Sequence, residues 1–298
     1  MILLHHGLTS NDLGSILVIV AKKDRDAAVG LTQSVERALG LLTCFSDAHP
    51  RQRVSDLARQ LELSQSTVSR LLATMESLGF VERDRLTGQY GLGLELVTLA
   101  GIALNQLEVR RQAVEELSAV AADLGLAANL AVLRNDELFY LATAEGPQAP
   151  KLFTMIGKRA PLHATGMGKA FLAHFQPENR EAILARLAYP RFTRFTAGTA
   201  DELRPMLETA RAQGYATERE ELAFGRACVA AVIRDASGAV VAATSISGPL
   251  SVMNLDQRER QLAARVIEMA DNVSHRLGMV TVPLSAALDG RVLADSTR

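Results

Sequence analysis

The stretch LSQSTVSRLLATMESLGFVER, residues 63–83, decides the fold of the first third of the chain. Ser64 stands where an N-cap satisfies the free N–H groups of a helix, and Gly79 suits a left-handed stop at its end. The apolar residues between them recur at helical spacing, which predicts an inward face formed by Val68, Leu71, Leu72, Met75 and Leu78. The same spacing turns the polar residues near the helix start outward, namely Gln65, Ser66, Thr67, Ser69 and Arg70.

Two shorter helical patterns precede this helix. The earlier one predicts a buried stripe of Val35, Ala38, Leu39, Leu42 and Phe45. The later one reaches the third helix through a tight Leu63-Ser64 connection and has its apolar residues at Val54, Leu57, Ala58 and Leu61. Two helices joined in this way have the spacing of a helix-turn-helix.

A predicted hairpin follows, with short strands at 80–83 and 89–90 around a turn that contains Gly88. Such a wing would bring Arg83 and Arg85 to DNA phosphates, while the start of the third helix meets bases and phosphates. Residues 31–93 therefore predict a winged helix-turn-helix domain whose partner is double-stranded operator DNA. A helical bundle with an incidental hairpin is the alternative, because short helix-turn-helix patterns also arise by accident.

Charge adds little to this prediction. Seven arginines and seven acidic residues lie between Leu31 and Gly93, so this segment lacks the usual basic surface of a DNA-binding domain. Binding would then depend on where the arginines lie and on two copies acting together. We therefore expect a homodimer or a dimer of dimers.

Length and composition suggest about two domains in a cytoplasmic protein. The chain has 298 residues, of which 48% are hydrophobic, and its two cysteines, Cys44 and Cys228, are far apart in sequence. The apolar run at 16–20 is too short to cross a membrane. We expect 1–30 to be a disordered extension and 281–298 to be a flexible tail.

Residues 94–108 predict a linker helix that is apolar on much of its circumference, as a free surface helix would not be. We expect it to pack against another subunit, and burial within one domain is the alternative. Residues 109–280 then alternate strands and helices, with hairpin signals at 134–137 and 235–238 and helices at about 167–174, 178–187, 201–213 and 255–277. This pattern predicts an α+β domain with an antiparallel sheet.

Two features of this domain suggest a ligand site. The glycine-rich turn at 164–169 opens a helix, where backbone N–H groups attract an anion. Ser245 and Ser247 alternate on a strand, so their hydroxyls share one face of the sheet. Together they would form a carboxylate pocket. The alternatives are a tight helix cap and ordinary strand serines.

Motifs in both halves make the chain resemble the IclR family of bacterial transcriptional regulators. They are VERALGLL, LSQSTVSRLLATMESLGFVER, YGLG, PLHATGMGKAFLA, GYATEREELAFGRACVAAVIRD and VVAATSISGP. The resemblance implies a winged helix-turn-helix, a linker helix and a GAF-like effector-binding domain in dimers or tetramers. It also implies effector contacts at Gly166, Met167, Glu218, Cys228, Ser245 and Ser247.

The expected function is thus ligand-gated transcription regulation, with repression favoured and a small carboxylate or aromatic metabolite as effector. Arg226 would pair with an acidic effector if it points inward. A sensor or scaffold that no longer binds DNA is the alternative. We expect no catalysis, since Cys228, His163 and Glu220 show no local sign of a nucleophile, base and orienting group. No cofactor and no metal are expected, because the histidines lack ligand spacing.

Overall fold

The computed structural model describes residues 32–149 and 155–280. The expected extension at 1–30 and the expected tail at 281–298 lie outside them. The chain divides into two compact units, and the boundary falls after Ala103. The domain limits given above remain a prediction.

The first unit contains three helices and a small sheet. The helices are α1 (Gln33–Thr43), α2 (Val54–Gln60) and α3 (Gln65–Ser77). The strands are β1 (Arg51–Gln52), β2 (Val81–Arg83) and β3 (Tyr90–Leu92), in the antiparallel order β1-β3-β2. The predicted helix-turn-helix and wing are therefore confirmed, while β1 was not predicted.

The core of this unit corrects two details of the predicted helix faces. Val35 and Leu39 are exposed, and Leu41 is the fully buried residue of α1. Leu78 is 61% exposed because it follows the last turn of α3, beyond the core. The sequence of α1 carries two overlapping apolar stripes, and periodicity alone does not choose between them.

The helix α4 (Glu95–Gln106) spans the boundary between the units, and α5 (Glu108–Leu124) follows after a break at Leu107. None of the side chains of α4 is buried. Its apolar residues are exposed at Val97, Leu99 and Ile102, with Leu94 and Leu107 exposed at its ends. The alternative of a helix buried within one domain is therefore wrong.

The second unit is an α+β domain around a six-stranded antiparallel sheet of order β6-β5-β4-β9-β8-β7. Its strands are β4 (Ala127–Arg134), β5 (Glu137–Glu145), β6 (Arg159–Pro161), β7 (Ala216–Arg219), β8 (Arg226–Arg234) and β9 (Val240–Pro249). Asn135 and Asp136 both have positive φ, which matches the two-residue turn of the β4–β5 hairpin. Both predicted hairpins are confirmed.

Helices cover both faces of this sheet. One face packs against α5 and α10 (Leu255–Arg276). The other packs against α6 (Gly166–His174), α7 (Pro177–Arg186) and α8 (Ala200–Gln213), while the short α9 (Leu250–Met253) precedes α10. The helices α6, α7, α8 and α10 start and end within one residue of the predicted bounds, and α9 was not predicted. The α6 side of the sheet is the face on which the predicted effector residues lie.

Candidate DNA-binding and effector sites

The start of α3 presents a polar surface. The Oγ of Ser64 accepts a hydrogen bond from the backbone N–H of Thr67 at 3.2 Å, so this N-cap fixes the first turn. Gln65, Ser66, Ser69 and Arg70 are exposed. Thr67 differs from them, because it is half-buried and its hydroxyl lies 2.8 Å from the Oγ of Ser64. Thr67 thus supports the cap.

The wing also exposes the predicted arginines, Arg83 and Arg85. Asp84 stabilises the tip by accepting the backbone N–H groups of Leu86 and Thr87 at 2.8 and 3.1 Å. These backbone hydrogen bonds are the main reason that the pKa of the Asp84 carboxyl is lowered. A short ordered tip holds the two arginines close to the start of β3.

One basic residue near the wing was missed by the sequence analysis. Arg51 lies on β1, which pairs with β3, and its guanidinium forms an ion pair with Glu82 at 3.1 Å. The two-residue strand is too short to show an alternating pattern. Arg51 therefore offsets an acidic side chain on the wing.

In the second unit, the predicted effector residues of three strands lie side by side. Glu218 on β7 is opposite Cys228 on β8, and Cys228 is opposite Ser247 on β9. Ser245 lies two residues before Ser247 and shares its face. All of these residues except Cys228, which is half-buried, are less than 9% exposed. The register thus brings together residues up to about thirty positions apart in sequence.

The glycine-rich turn meets this row at Cys228. A Cβ on Gly166 would lie 2.5 Å from the Sγ of Cys228, so the helix start and β8 approach as closely as a glycine allows. Thr165 is the N-cap, and its Oγ1 accepts from the backbone N–H of Gly168 at 3.2 Å. Among the described residues, the backbone N–H of Met167 has no hydrogen-bond partner. That N–H is available to an anion.

A buried amide connects the two serines. The Nδ2 of Asn129 donates to the Oγ of Ser245 at 3.2 Å and to the Oγ of Ser247 at 3.1 Å. Thr143 donates from its Oγ1 to the Oδ1 of Asn129 at 3.1 Å. Sequence reasoning missed Asn129, although a lone amide in the apolar run of β4 was a possible signal.

Glu218 lies beside a buried ion pair that was also missed. The Nζ of Lys169 lies 2.5 Å from the Oε1 of Glu221, and both side chains are at most 8% exposed. The Oε1 of Glu218 accepts the backbone N–H groups of Glu221 and Leu222 at 2.7 and 3.3 Å. The Oε2 of Glu221 is buried and has no hydrogen-bond partner among the described residues. This end of the site therefore carries acceptor oxygens.

Burial dominates the electrostatics of this cluster. It raises the pKa of Glu218 to about 7, although its two backbone hydrogen bonds and Lys169 act in the opposite direction. Burial also raises the pKa of the Cys228 thiol to about 12, with Glu218 adding to the effect. Cys228 is therefore a neutral thiol at neutral pH, and a nucleophilic role is not supported.

Two further residues face the same side of the sheet. Arg226 alternates in phase with Cys228 along β8, and its positive charge favours ionisation of Tyr140 on the α6 side. Burial nevertheless raises the pKa of Tyr140. Among the described residues the Arg226 guanidinium has no hydrogen bond or ion pair. The alternation along β8 thus favours the inward orientation considered for Arg226.

The structure does not arrange Cys228, His163 and Glu220 as a nucleophile, a base and an orienting group. The Nε2 of His163 lies 3.0 Å from the backbone oxygen of Pro190, and Glu220 accepts the backbone N–H of Gly225 at 2.8 Å. His163 is therefore engaged with the backbone of a distant segment, and Glu220 with the backbone of its own turn. Over residues 32–149 and 155–280, no cluster of three potential metal ligands occurs, and no helix is long and apolar enough to cross a membrane.

Two cavities in the second unit, of about 210 and 440 Å³, are lined by residues other than the predicted effector residues. The smaller lies between α10 and the end of β8, and the larger lies between α5 and the end of β5. The predicted effector residues thus form a contiguous polar cluster that has the Cys228 thiol against the helix start.

Comparison with known proteins identifies the family. Residues 101–275 match the model of the bacterial transcriptional regulator IclR C-terminal domain, and residues 34–85 match the IclR helix-turn-helix domain. The chain belongs to the IclR family. It is an IclR-type DNA-binding transcriptional regulator with a C-terminal effector domain, and this family consists of regulators, not enzymes.

Similar IclR-type proteins cover most of the chain. The HTH-type transcriptional regulator KdgR of Dickeya chrysanthemi is 30% identical over 91% of this chain and 88% of its own length. The HTH-type transcriptional repressor AllR of Klebsiella pneumoniae is 31% identical over 83% of this chain and 90% of its own length. An IclR homolog from Microbacterium hydrocarbonoxydans, solved in complex with 4-hydroxybenzoate, is 27% identical with a TM-score of 0.71 and covers 82% of this chain and 98% of that one.

Proposed function

We propose that this IclR-type regulator is a repressor whose operator binding is controlled by a small hydroxylated or aromatic carboxylate. Gln65, Ser66, Ser69 and Arg70 contact bases and phosphates, and Thr67 orders the helix start. Arg83 and Arg85 contact phosphates from the wing. The exposure of these side chains at the start of α3 and on the hairpin supports this assignment.

The effector carboxylate is placed at Ser245 and Ser247, beside the free backbone N–H of Met167. The observation that carries this assignment is the pair of buried serine hydroxyls on one sheet face, next to a helix start. A buried hydroxyl without an acceptor is costly, and a carboxylate supplies two acceptors. A hydroxyl of the effector donates to Glu218 at the other end of the row.

Two further findings support an anionic effector. The guanidinium of Arg226 is unpaired among the described residues, so it offers a charge partner on the same sheet face. The homolog solved with 4-hydroxybenzoate binds a molecule that carries both a carboxylate and a hydroxyl. In this proposal Gly166 allows the close approach of helix and strand, and Cys228 lines the site as a neutral thiol.

The proposed assembly is a homodimer or a dimer of dimers in the cytoplasm, where operator DNA is found. The exposed apolar residues of α4 support a helix that pairs with a second copy, since such a surface is rarely left in water. Repression is proposed over activation because the similar AllR is named a repressor.

A DNA-binding titration tests this function. The purified protein is titrated onto its own upstream intergenic DNA at fixed salt, with and without a panel of 4-hydroxybenzoate, benzoate, lactate and pyruvate. We expect saturable binding that at least one carboxylate weakens. Binding no tighter than to unrelated DNA at low salt would favour a sensor that no longer contacts DNA.

A further inference from the structure

We infer that Asn129 is a positioning residue, which sets the hydroxyls of Ser245 and Ser247 as hydrogen-bond donors toward the effector. The inference rests on the proposed effector site and explains its preference for a carboxylate. Asn129 lies on β4 directly opposite Ser245 on β9, and it is only 6% exposed.

The Asn129 amide has only two hydrogens to donate. The side-chain nitrogen of an asparagine carries two hydrogens, and here both are used, one on each serine oxygen. Each serine oxygen is therefore already an acceptor, and its own hydrogen is directed elsewhere. Among the described residues neither Ser245 nor Ser247 has an acceptor for that hydrogen.

The orientation of the amide decides which of its atoms faces the serines. Thr143 donates from its Oγ1 to the Oδ1 of Asn129 at 3.1 Å, and the amide nitrogen faces the serines. The reversed amide would present oxygen to the serines and would capture their hydrogens. In the observed orientation one chain of hydrogen bonds runs from Thr143 on β5 through Asn129 on β4 to the serines on β9.

The two serine hydroxyls select a ligand that accepts hydrogen bonds. Ser245 is 2% exposed and Ser247 is 8% exposed, and neither hydroxyl hydrogen has an acceptor among the described residues. The hydrogen-bond network is therefore complete at Thr143 and incomplete at the serines. A carboxylate completes it, because each oxygen accepts from one hydroxyl. A primary amide completes it less well, since one of its two polar atoms is a donor.

The test uses two variants that change no charge. Asn129→Ala removes the amide, and Thr143→Val removes the hydroxyl that donates to the amide oxygen. The control is Thr209→Val on α8, whose hydroxyl donates to the backbone oxygen of Pro205. Calorimetric titration of the full chain gives the Kd of 4-hydroxybenzoate, benzoate, lactate and pyruvate, and of the primary amide of each. Thermal unfolding monitors the fold.

We expect the wild-type chain to prefer at least one carboxylate to its amide, and both site variants to reduce that preference about tenfold, with the control unchanged. A merely structural role would weaken carboxylate and amide equally. Equal weakening, or none, overturns the role of Asn129 and leaves the effector site standing. If the wild-type chain binds no carboxylate of the panel, the proposed effector class fails and the inference fails with it.

Discussion

At the level of single residues, Glu218 makes the clearest prediction about pH. Its pKa of about 7 in the folded chain lies above the ordinary value of 4.5. The folded state therefore holds the proton more tightly, and stability is lost as pH rises through about 7. The groups around the carboxyl are Lys169 on α6, Cys228 on β8, and Glu221 and Leu222 of its own loop.

Glu218→Gln should remove this loss of stability. The amide oxygen keeps the two backbone hydrogen bonds and cannot ionise. We expect the difference in free energy of unfolding, variant minus wild type, to grow by up to roughly 3 kcal/mol as pH rises from 5 to 8, because only the wild type loses stability by ionising Glu218. Urea unfolding across this range measures it, with exposed Glu208→Gln as the control. Parallel curves for wild type and Glu218→Gln would show that Glu218 ionises normally.

Gly166 makes a second prediction at this level. A Cβ there would lie 2.5 Å from the Sγ of Cys228, so Gly166→Ala forces the helix start away from β8. We expect a loss of about 1 to 3 kcal/mol of stability, as for other overpacked cores. Adding Cys228→Ala should recover part of it, because the sulfur is gone. Strictly additive losses in this double-mutant cycle would mean that the two residues do not compete for space.

At the level of elements, α4 presents an apolar surface that the rest of the described chain leaves exposed. Ile102 is 57% exposed and Val97 is 66% exposed. Ile102→Glu should dissociate the assembly, since a charge at a buried interface lacks a partner. Light scattering after size exclusion measures the mass, and Ile102→Val is the control that keeps the surface apolar. An unchanged mass for Ile102→Glu would place the interface elsewhere.

Elements with strong periodicity were predictable, and those set by distant partners were not. The helices of the second domain and both hairpins follow from local patterns: α6 and α8 begin at capping threonines, and both hairpins turn at residues with positive φ. β1 and β6 are two and three residues long, so they become strands only through pairing with β3 and β5. Likewise Ser245 and Ser247 were predictable from alternation, whereas Asn129 is recognised only once β4 lies beside β9.

At the level of the whole molecule, DNA recognition and effector recognition are assigned to separate units, so each should be removable alone. Arg70→Ala deletes an exposed side chain at the start of α3 and should weaken operator binding about tenfold or more, with effector affinity unchanged. Ser245→Ala should do the reverse, because it removes a buried donor from the proposed carboxylate site.

We expect effector binding in one unit to be coupled to operator binding by the other. Effector affinity should differ between free and operator-bound protein by the same factor by which the effector changes operator affinity, since a coupling free energy is reciprocal. A repressor released by its effector binds that effector more weakly on DNA, by about 5- to 150-fold for 1 to 3 kcal/mol. Effector titrations of the wild-type chain with and without operator DNA measure this factor. For Arg70→Ala the control is Arg260→Ala, and for Ser245→Ala it is Ser251→Ala, since both control residues are exposed. If either Arg70→Ala or Ser245→Ala abolished both operator binding and effector binding in a folded chain, the two sites would not be separate. If the effector bound equally well to free and operator-bound protein, the effector would not control operator binding.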